Sequence, residues 1–382
     1  MTQPLRIRAA VLHDVRTPLV VEEVLLDPPG VGEVLVSVVA AGVCHSDLHL
    51  AEGHLGGRRW PTVLGHEGAG VIEAVGERVD NVAPGDRVAL CFIPSCGRCR
   101  ACLDGHGNLC ENGPAAVFRG TMLDGTRRLY LDSGEPLKHF LGVACFAEKC
   151  VVPAASAVRI PSALPLWQAA LVGCGVVTGF GAVRNAARVR TGESVCVVGC
   201  GGIGLNVIAA ARLAGAEPVI AVDLLPEKLE RALARGAMHA VDAASEGAVE
   251  TVRELAGGGV DHAIEAVGRA ESIRFAWSIL RRGGTATVVG IAPVGVEVSV
   301  PAIEFLDEKS LRGSFYGSGN PAREIAELAE LVASGRLDLA RSVSHFTGLE
   351  GINAAFDRLR RGVGARTVVI LDAGQAEAPG GL

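Results

Sequence analysis

No run of about 20 uninterrupted apolar residues occurs in the 382-residue chain, and its first fifteen residues, MTQPLRIRAAVLHDV, lack the apolar core of a secretion signal. These absences lead to the expectation of a soluble, cytoplasmic protein without a membrane partner. A basic excess is missing as well. Lysine and arginine number 36 against 42 aspartates and glutamates, a net charge of −6, so the chain lacks the footprint of a phosphate-neutralising nucleic-acid binder. Internal repeats and low-complexity tracts are also absent, and only AGQAEAPGGL at the extreme C-terminus reads as loose. With 49% apolar and 20% charged residues, general disorder is excluded too.

What is present fits two domains, or one inserted into another. The first third holds short β-branched runs such as VLVSVVAAGV (34–43) and AGVIEAVG (69–76), with PGD (84–86) as a turn before RVALCF. From about residue 190, strand and helix patterns alternate. SVCVVG, PVIAVD, HAVDA, VDHAIEAV, TATVVG and KSLRGSF read as strands; LNVIAAARLAG, PEKLERALARG and ESIRFAWSILRRGG read as helices closed by glycine. The expected fold is α/β, with a doubly wound parallel-sheet cofactor domain (173–316) inserted into a β-rich domain made of 1–172 and 317–382. PAREIAELAELVASG (321–335) reads as the helix leaving that sheet, and GARTVVILDAG as a later strand.

VVGCGGIGLNV places Gly199, Gly201 and Gly204, with Gly202 and Ile203 between them, in a G-x-G-x-x-G frame at a strand-to-helix turn. Such a turn binds a dinucleotide pyrophosphate on backbone amides at a helix N-terminus. Asp223 follows at the end of the next strand, where a carboxylate accepts ribose hydroxyls and repels a 2′-phosphate, which favours NAD over NADP. Lys228 could add a donor to the ribose. The plain alternative is a glycine-rich turn with a capping aspartate.

Eleven cysteines, an odd number, read in a reducing compartment as metal ligands, reactive thiols and buried apolar residues rather than disulfides. Cys96, Cys99, Cys102 and Cys110 follow C-x2-C-x2-C-x7-C, a set able to saturate one tetrahedral structural zinc and leave no position for substrate. The competing reading is a cluster of reduced thiols. Cys44 in GVCHSDLH, His66 in GHEGAG and Cys174 in GCGVVTGFG share no local spacing. From the residues alone, buried cysteines and a satisfied core histidine are the stronger readings.

GVCHSDLH, GHEGAGVIEAVG, CGRCRACLDGHGNLC, GCGVVTGFGA and VGCGGIG with Asp223 stand in order and spacing like those of the zinc-dependent alcohol dehydrogenases of the medium-chain dehydrogenase/reductase superfamily. The resemblance covers nearly the whole chain. It implies a GroES-like catalytic domain carrying a structural zinc lobe (about 95–111), a Rossmann cofactor domain, NAD, and two zinc ions per chain. Cys44, His66 and Cys174 then hold the catalytic ion, with one position open to the substrate oxygen. Glu67 matches a glutamate behind that ion and Asp47 a carboxylate orienting His66. Ser46 and His49 match a proton relay from the alcohol to solvent. Thr178 matches a residue beside the nicotinamide, and Arg366 one reaching the pyrophosphate. His45 departs from the pattern. Many relatives place arginine there to hold the pyrophosphate, so the resemblance implies cofactor binding that weakens as pH rises through about 6–7.

Phe92 and Phe140 match aromatic positions lining the alcohol site, with Trp60, Leu141 and Ile291 as further candidates. An apolar pocket of this kind suits a primary or aromatic alcohol or its aldehyde. Three other readings share most of these motifs: a formaldehyde dehydrogenase acting on a glutathione or mycothiol adduct, for which Glu52, His54 and Arg119 could serve a larger polar substrate; a nicotinoprotein that keeps its NAD; and a non-catalytic zinc- and NAD-binding protein. The resemblance also implies a homodimer or homotetramer, with VEVSVPAIEFL (296–306) as candidate interface.

Overall fold

The computed structural model describes residues 3–54 and 61–378. Trp60 lies outside them. The chain divides into two compact units, residues 1–174 with 320–382 and residues 175–319.

In the first unit, among the described residues, two sheets carry the core. The larger contains Ala157–Arg159, Arg87–Leu90, Glu67–Val75, Glu33–Gly42, Arg366–Ile370 and Val343–Thr347 in that order, with Lys149–Pro153 also paired to Glu33–Gly42. Glu33–Gly42 is the hinge of the arrangement. Its continuous run of β-branched and small residues is buried on both faces, which lets it pair with Glu67–Val75, Lys149–Pro153 and the C-terminal strand at once. It ends two residues before Cys44, and Glu67–Val75 begins directly after His66. Sheet pairing thus aligns two segments that chemistry will use.

The second unit contains a six-stranded parallel sheet in the order His239–Asp242, Val219–Asp223, Val195–Val198, Val260–Glu265, Leu280–Val288, Ser310–Gly313. Its strands read as unbroken apolar runs because helices cover both faces. Cys196, Ile220, Ala263 and Ala286 are fully buried with Trp277 and Leu280. One expectation is corrected here. The helix expected to run through ESIRFAWSILRRGG stops at Ser278, and Leu280 to Gly284 belong to a strand. Leu280 is buried and pairs with Val260 across a register shift, so tertiary pairing outweighs local helical preference.

Residues 166–187 form one helical run that is long and apolar enough to cross a membrane, yet 89% of its most apolar window is buried inside the protein. Gln168, Arg184 and Asn185 interrupt it, which is why no uninterrupted apolar run is visible in the sequence. The segment 296–306 ends inside the 3-10 turn Ala302–Asp307, which has no buried residue and precedes the sheet-edge strand Ser310–Gly313.

Candidate zinc centres and cofactor turn

Cys44, His66, Glu67 and Cys174 are all buried, and their donor atoms lie within 4.8 Å of one another. Cys44 precedes the helix His45–Ala51; His66 stands at the head of its strand; Cys174 sits on the π-helical turn Val172–Val176. A π-turn rotates side chains away from the α-helical path and often marks functional positions. Gly173 makes the approach possible, since a Cβ there would collide with the carbonyl oxygen of Leu90.

Asp47, fully buried, ties two of these segments together. One carboxylate oxygen accepts the Gly65 N–H at 2.9 Å and lies 3.2 Å from His66 Nδ1, while the other accepts the Cys44 N–H at 3.3 Å. His66 therefore turns Nε2 inward, where it is buried without a hydrogen-bond partner. Burial alone would lower the His66 pKa, but the negative charges of Asp47 and Cys44 push it well above its usual value. The Cys44 thiol is held low, first by a hydrogen bond from Cys174 and then by His66; the same bond and burial push Cys174 up. Glu67 is raised to about 7 by burial, opposed by Arg366.

Three buried polar atoms lack a hydrogen-bond partner here: His66 Nε2, Glu67 Oε1 and Arg366 Nε. Two hydrogen-bonded sulfurs, an unpartnered imidazole nitrogen and an unpartnered carboxylate oxygen converge here, a donor set that a borderline-soft dication such as zinc satisfies. The residues fit the ion. Arg366 is itself buried and pairs with Glu67, a partner the sequence did not disclose. The guanidinium supplies the countercharge a buried carboxylate requires.

Of the remaining residues, Ser46 Oγ lies 3.9 Å from Cys44 Sγ, His49 is half-buried on the same helix, and His45 is exposed. Phe92 and Phe140 set their rings edge-on to His66, at centroid distances of 5.6 and 5.5 Å. Leu141 adjoins Phe140 with φ of 51°. Thr178, buried, and Ile291, 47% exposed, belong to the second unit.

The four-cysteine set differs in kind. Its sulfurs also lie within 4.8 Å of one another, but the short helix Arg100–Leu103 buries no residue, and Leu103 and Leu109 are exposed. No apolar core holds this lobe. The Cys96 sulfur accepts from the Cys99 N–H and from Asn112 Nδ2; backbone amides, that of Arg98 foremost, and Asn112 bring its thiol down to about 6. Cys102 is pushed up to about 12 by burial and by Cys99. A metal cation would displace the shared protons and close the loop.

In the second unit Gly199 has φ of 94° and Gly204 packs so closely on the Gly199 carbonyl that a Cβ would clash, whereas a Cβ at Gly201 would meet nothing within 4 Å. That open space lies at the N-terminus of helix Gly202–Leu213, with Ile203 in its first turn. Asp223 accepts the Cys200 N–H at 2.8 Å and the Leu225 N–H at 3.1 Å, and Lys228 Nζ is 4.0 Å away. The sequence reading missed Glu265, fully buried at the carboxyl end of its strand. One oxygen accepts from Val267 N–H, Gly268 N–H and Ser272 Oγ, and the other has no partner. Its signal was available: an acidic residue ending an apolar parallel strand.

Residues 30–162 match the alcohol dehydrogenase GroES-like domain, and residues 202–334 match the zinc-binding dehydrogenase family. The chain is 40% identical to an NDMA-dependent alcohol dehydrogenase of Amycolatopsis methanolica, over 96% of this chain and 99% of the relative. It is 36% identical to the S-(hydroxymethyl)glutathione dehydrogenase of Saccharomyces cerevisiae, over 97% of each. The crystal structure of benzyl alcohol dehydrogenase from Acinetobacter calcoaceticus superposes with a TM-score of 0.90 at 30% identity, covering 96% of this chain and 99% of that one. A GroES-like unit with two zinc-suited donor sets and a doubly wound dinucleotide unit, matched along nearly their full length, lead to one conclusion: the chain belongs to the zinc-dependent alcohol dehydrogenases of the medium-chain dehydrogenase/reductase superfamily, oxidoreductases that act on CH–OH groups with zinc and a nicotinamide dinucleotide.

Proposed function

We propose that the protein catalyses the reversible oxidation of a primary alcohol, aromatic ones included, to its aldehyde with NAD. The observation that carries this reading is the convergence of Cys44, His66 and Cys174 beside the edge-on rings of Phe92 and Phe140. When bound, zinc supplies Lewis acidity to the alcohol oxygen and NAD accepts the hydride. Cys44, His66 and Cys174 would hold the ion, and Asp47 would keep His66 in the tautomer that presents Nε2. Ser46 Oγ takes the hydroxyl proton and His49 delivers it toward solvent. Phe92 and Phe140 exclude water and present an apolar wall to the alcohol carbon. Glu67, paired with Arg366, keeps a carboxylate behind the ligand set. Asp223, at the end of the strand after the glycine turn, would accept a ribose 2′-hydroxyl and so favour NAD over NADP.

The relative acting on a hydroxymethyl thiol adduct and the relative named for another acceptor define two further readings, a thiol-dependent formaldehyde dehydrogenase and an enzyme that retains its NAD. The test is NADH absorbance across alcohols and aldehydes, with and without glutathione or mycothiol, and with NDMA as acceptor. Turnover of benzyl alcohol with free NAD and no thiol is expected. Turnover only with thiol, or only with NDMA, would overturn the reading. Self-association belongs to the same proposal. The exposed edge strand Ser310–Gly313, without a second partner strand among the described residues and preceded by the exposed Ile303 and Leu306, would serve as a template for a second copy.

A further inference from the structure

Three imidazoles follow one another outside the ligand set. His45 and His49 lie on the helix His45–Ala51, and His54 lies in the turn after it, with ring centroids 6.2 Å apart for the first pair and 5.5 Å for the second. His49 Nδ1 and His54 Nδ1 are 3.2 Å apart. Two ring nitrogens at that distance form one donor and one acceptor, so the rings share a single proton between them.

The surroundings hold His54 in place. Its Nδ1 lies 3.7 Å from Glu52 Oε2; Glu52 Oε1 accepts from Arg360 Nε at 2.8 Å, and Arg360 also pairs with Asp357 on the packed helix Ile352–Arg360. Arg16 Nε donates to the Glu52 carbonyl at 3.4 Å. His49 is half-buried while the His54 side chain is 42% exposed, so the pair runs from the interior to solvent.

We propose that His54 is the outer member of a two-histidine proton relay, receiving from His49 the proton that alcohol oxidation releases. The proposal rests on the dehydrogenase reading above. With His49 Nδ1–H donating to His54 Nδ1, His49 Nε2 is a lone pair and takes the incoming proton. His49 then passes its Nδ1 proton to His54 Nδ1, and His54, an imidazolium steadied by Glu52, gives a proton to water. Exchange with water restores the starting tautomers, and aldehyde reduction runs the path backwards. The depressed pKa of His49, caused first by burial and then by the charge of His54 against the opposing pull of Cys44 and Glu52, agrees with a group that sheds protons readily. His54 acts through His49 and is therefore a positioning residue for proton transfer.

The test uses the zinc-loaded enzyme in wild-type, His54→Gln and His49→Gln forms. Ring-labelled histidine NMR titrations are combined with single-turnover oxidation of benzyl alcohol across pH. In His54→Gln the His49 titration is expected to move upward, single turnover to slow about ten-fold, and added imidazole to restore the rate. A merely structural role would show neither the shifted titration nor the rescue. An unchanged His49 titration in His54→Gln, with turnover that imidazole does not affect, would overturn the proposal. Failure of the wild-type enzyme to oxidise any alcohol would instead overturn the parent reading, and the titration would still decide whether the two rings share a proton.

Discussion

The two cysteine sets of the first unit differ in what holds them. Cys96, Cys99, Cys102 and Cys110 lie within fifteen residues, half of them partly exposed, in a lobe with no apolar core. Cys44, His66 and Cys174 span 130 residues, are all buried, and are brought together by sheet pairing, a buried aspartate and a π-turn. The first set would use a metal to make structure, whereas the second uses structure to bring its donor atoms together. Burial shows which is which. A donor set under the core's control can offer an unpartnered nitrogen to an ion and an apolar wall to a substrate, and a self-contained lobe cannot.

The comparison breaks most sharply at Cys174→Ser. Removing one of three ligands should lower kcat/KM by at least about 10²–10³-fold and zinc content by one ion per chain, with the lobe's ion retained. Normal turnover with full zinc would erase the distinction between the sets.

Arg366→Met probes the core's share of the buried set. It leaves Glu67 buried without its countercharge, at a cost of about 3–5 kcal/mol, measured as a drop in the denaturant midpoint. Pairing the change with Glu67→Gln should recover much of that loss, because neither charge then remains buried alone.

Cys102→Ser tests the lobe. Stability should fall by about 2–4 kcal/mol and one zinc be lost, while the hydride-transfer rate of the protein that remains folded stays within about two-fold. A rate collapse with intact stability would give the lobe a catalytic role.

The smallest effect concerns acid. His139, fully buried beside Phe140, accepts the Arg128 N–H through Nε2, and burial together with Arg128 and Arg127 lowers its pKa to about 3. The unfolded chain, with a value near 6.5, binds a proton that the folded chain refuses, so this contribution is complete above about pH 6.5 and is lost as pH falls toward 3. Between pH 6.5 and 5 the loss is about 2 kcal/mol. His139→Phe should flatten that part of the stability profile; an unchanged slope would remove His139 as its source.

Legibility followed the range of the interaction involved. The alternation of strands and helices from about residue 190, the glycine turn and the four-cysteine spacing are local patterns, and the strands read from that alternation do pair into one parallel sheet. The end of the helix at Ser278 was not legible, because the partner that captures Leu280, Val260, is twenty residues away. The Arg366 to Glu67 pair spans 299 residues and leaves no trace in either neighbourhood.

By itself, then, the sequence determined which residues could chelate, cap or turn: four thiols at chelating spacing, a Gly199 that reaches φ of 94°, and strands apolar enough to be buried on both faces. Only the tertiary structure decided which donors meet. Gly173 lets the helix press against Leu90, Asp47 fixes the side of His66 that faces inward, and the pairing of Glu33–Gly42 with Glu67–Val75 sets Cys44 near His66. The reason is physical. Spacing along the chain constrains donors within one or two turns, whereas convergence of distant donors depends on how a close-packed core excludes the alternatives.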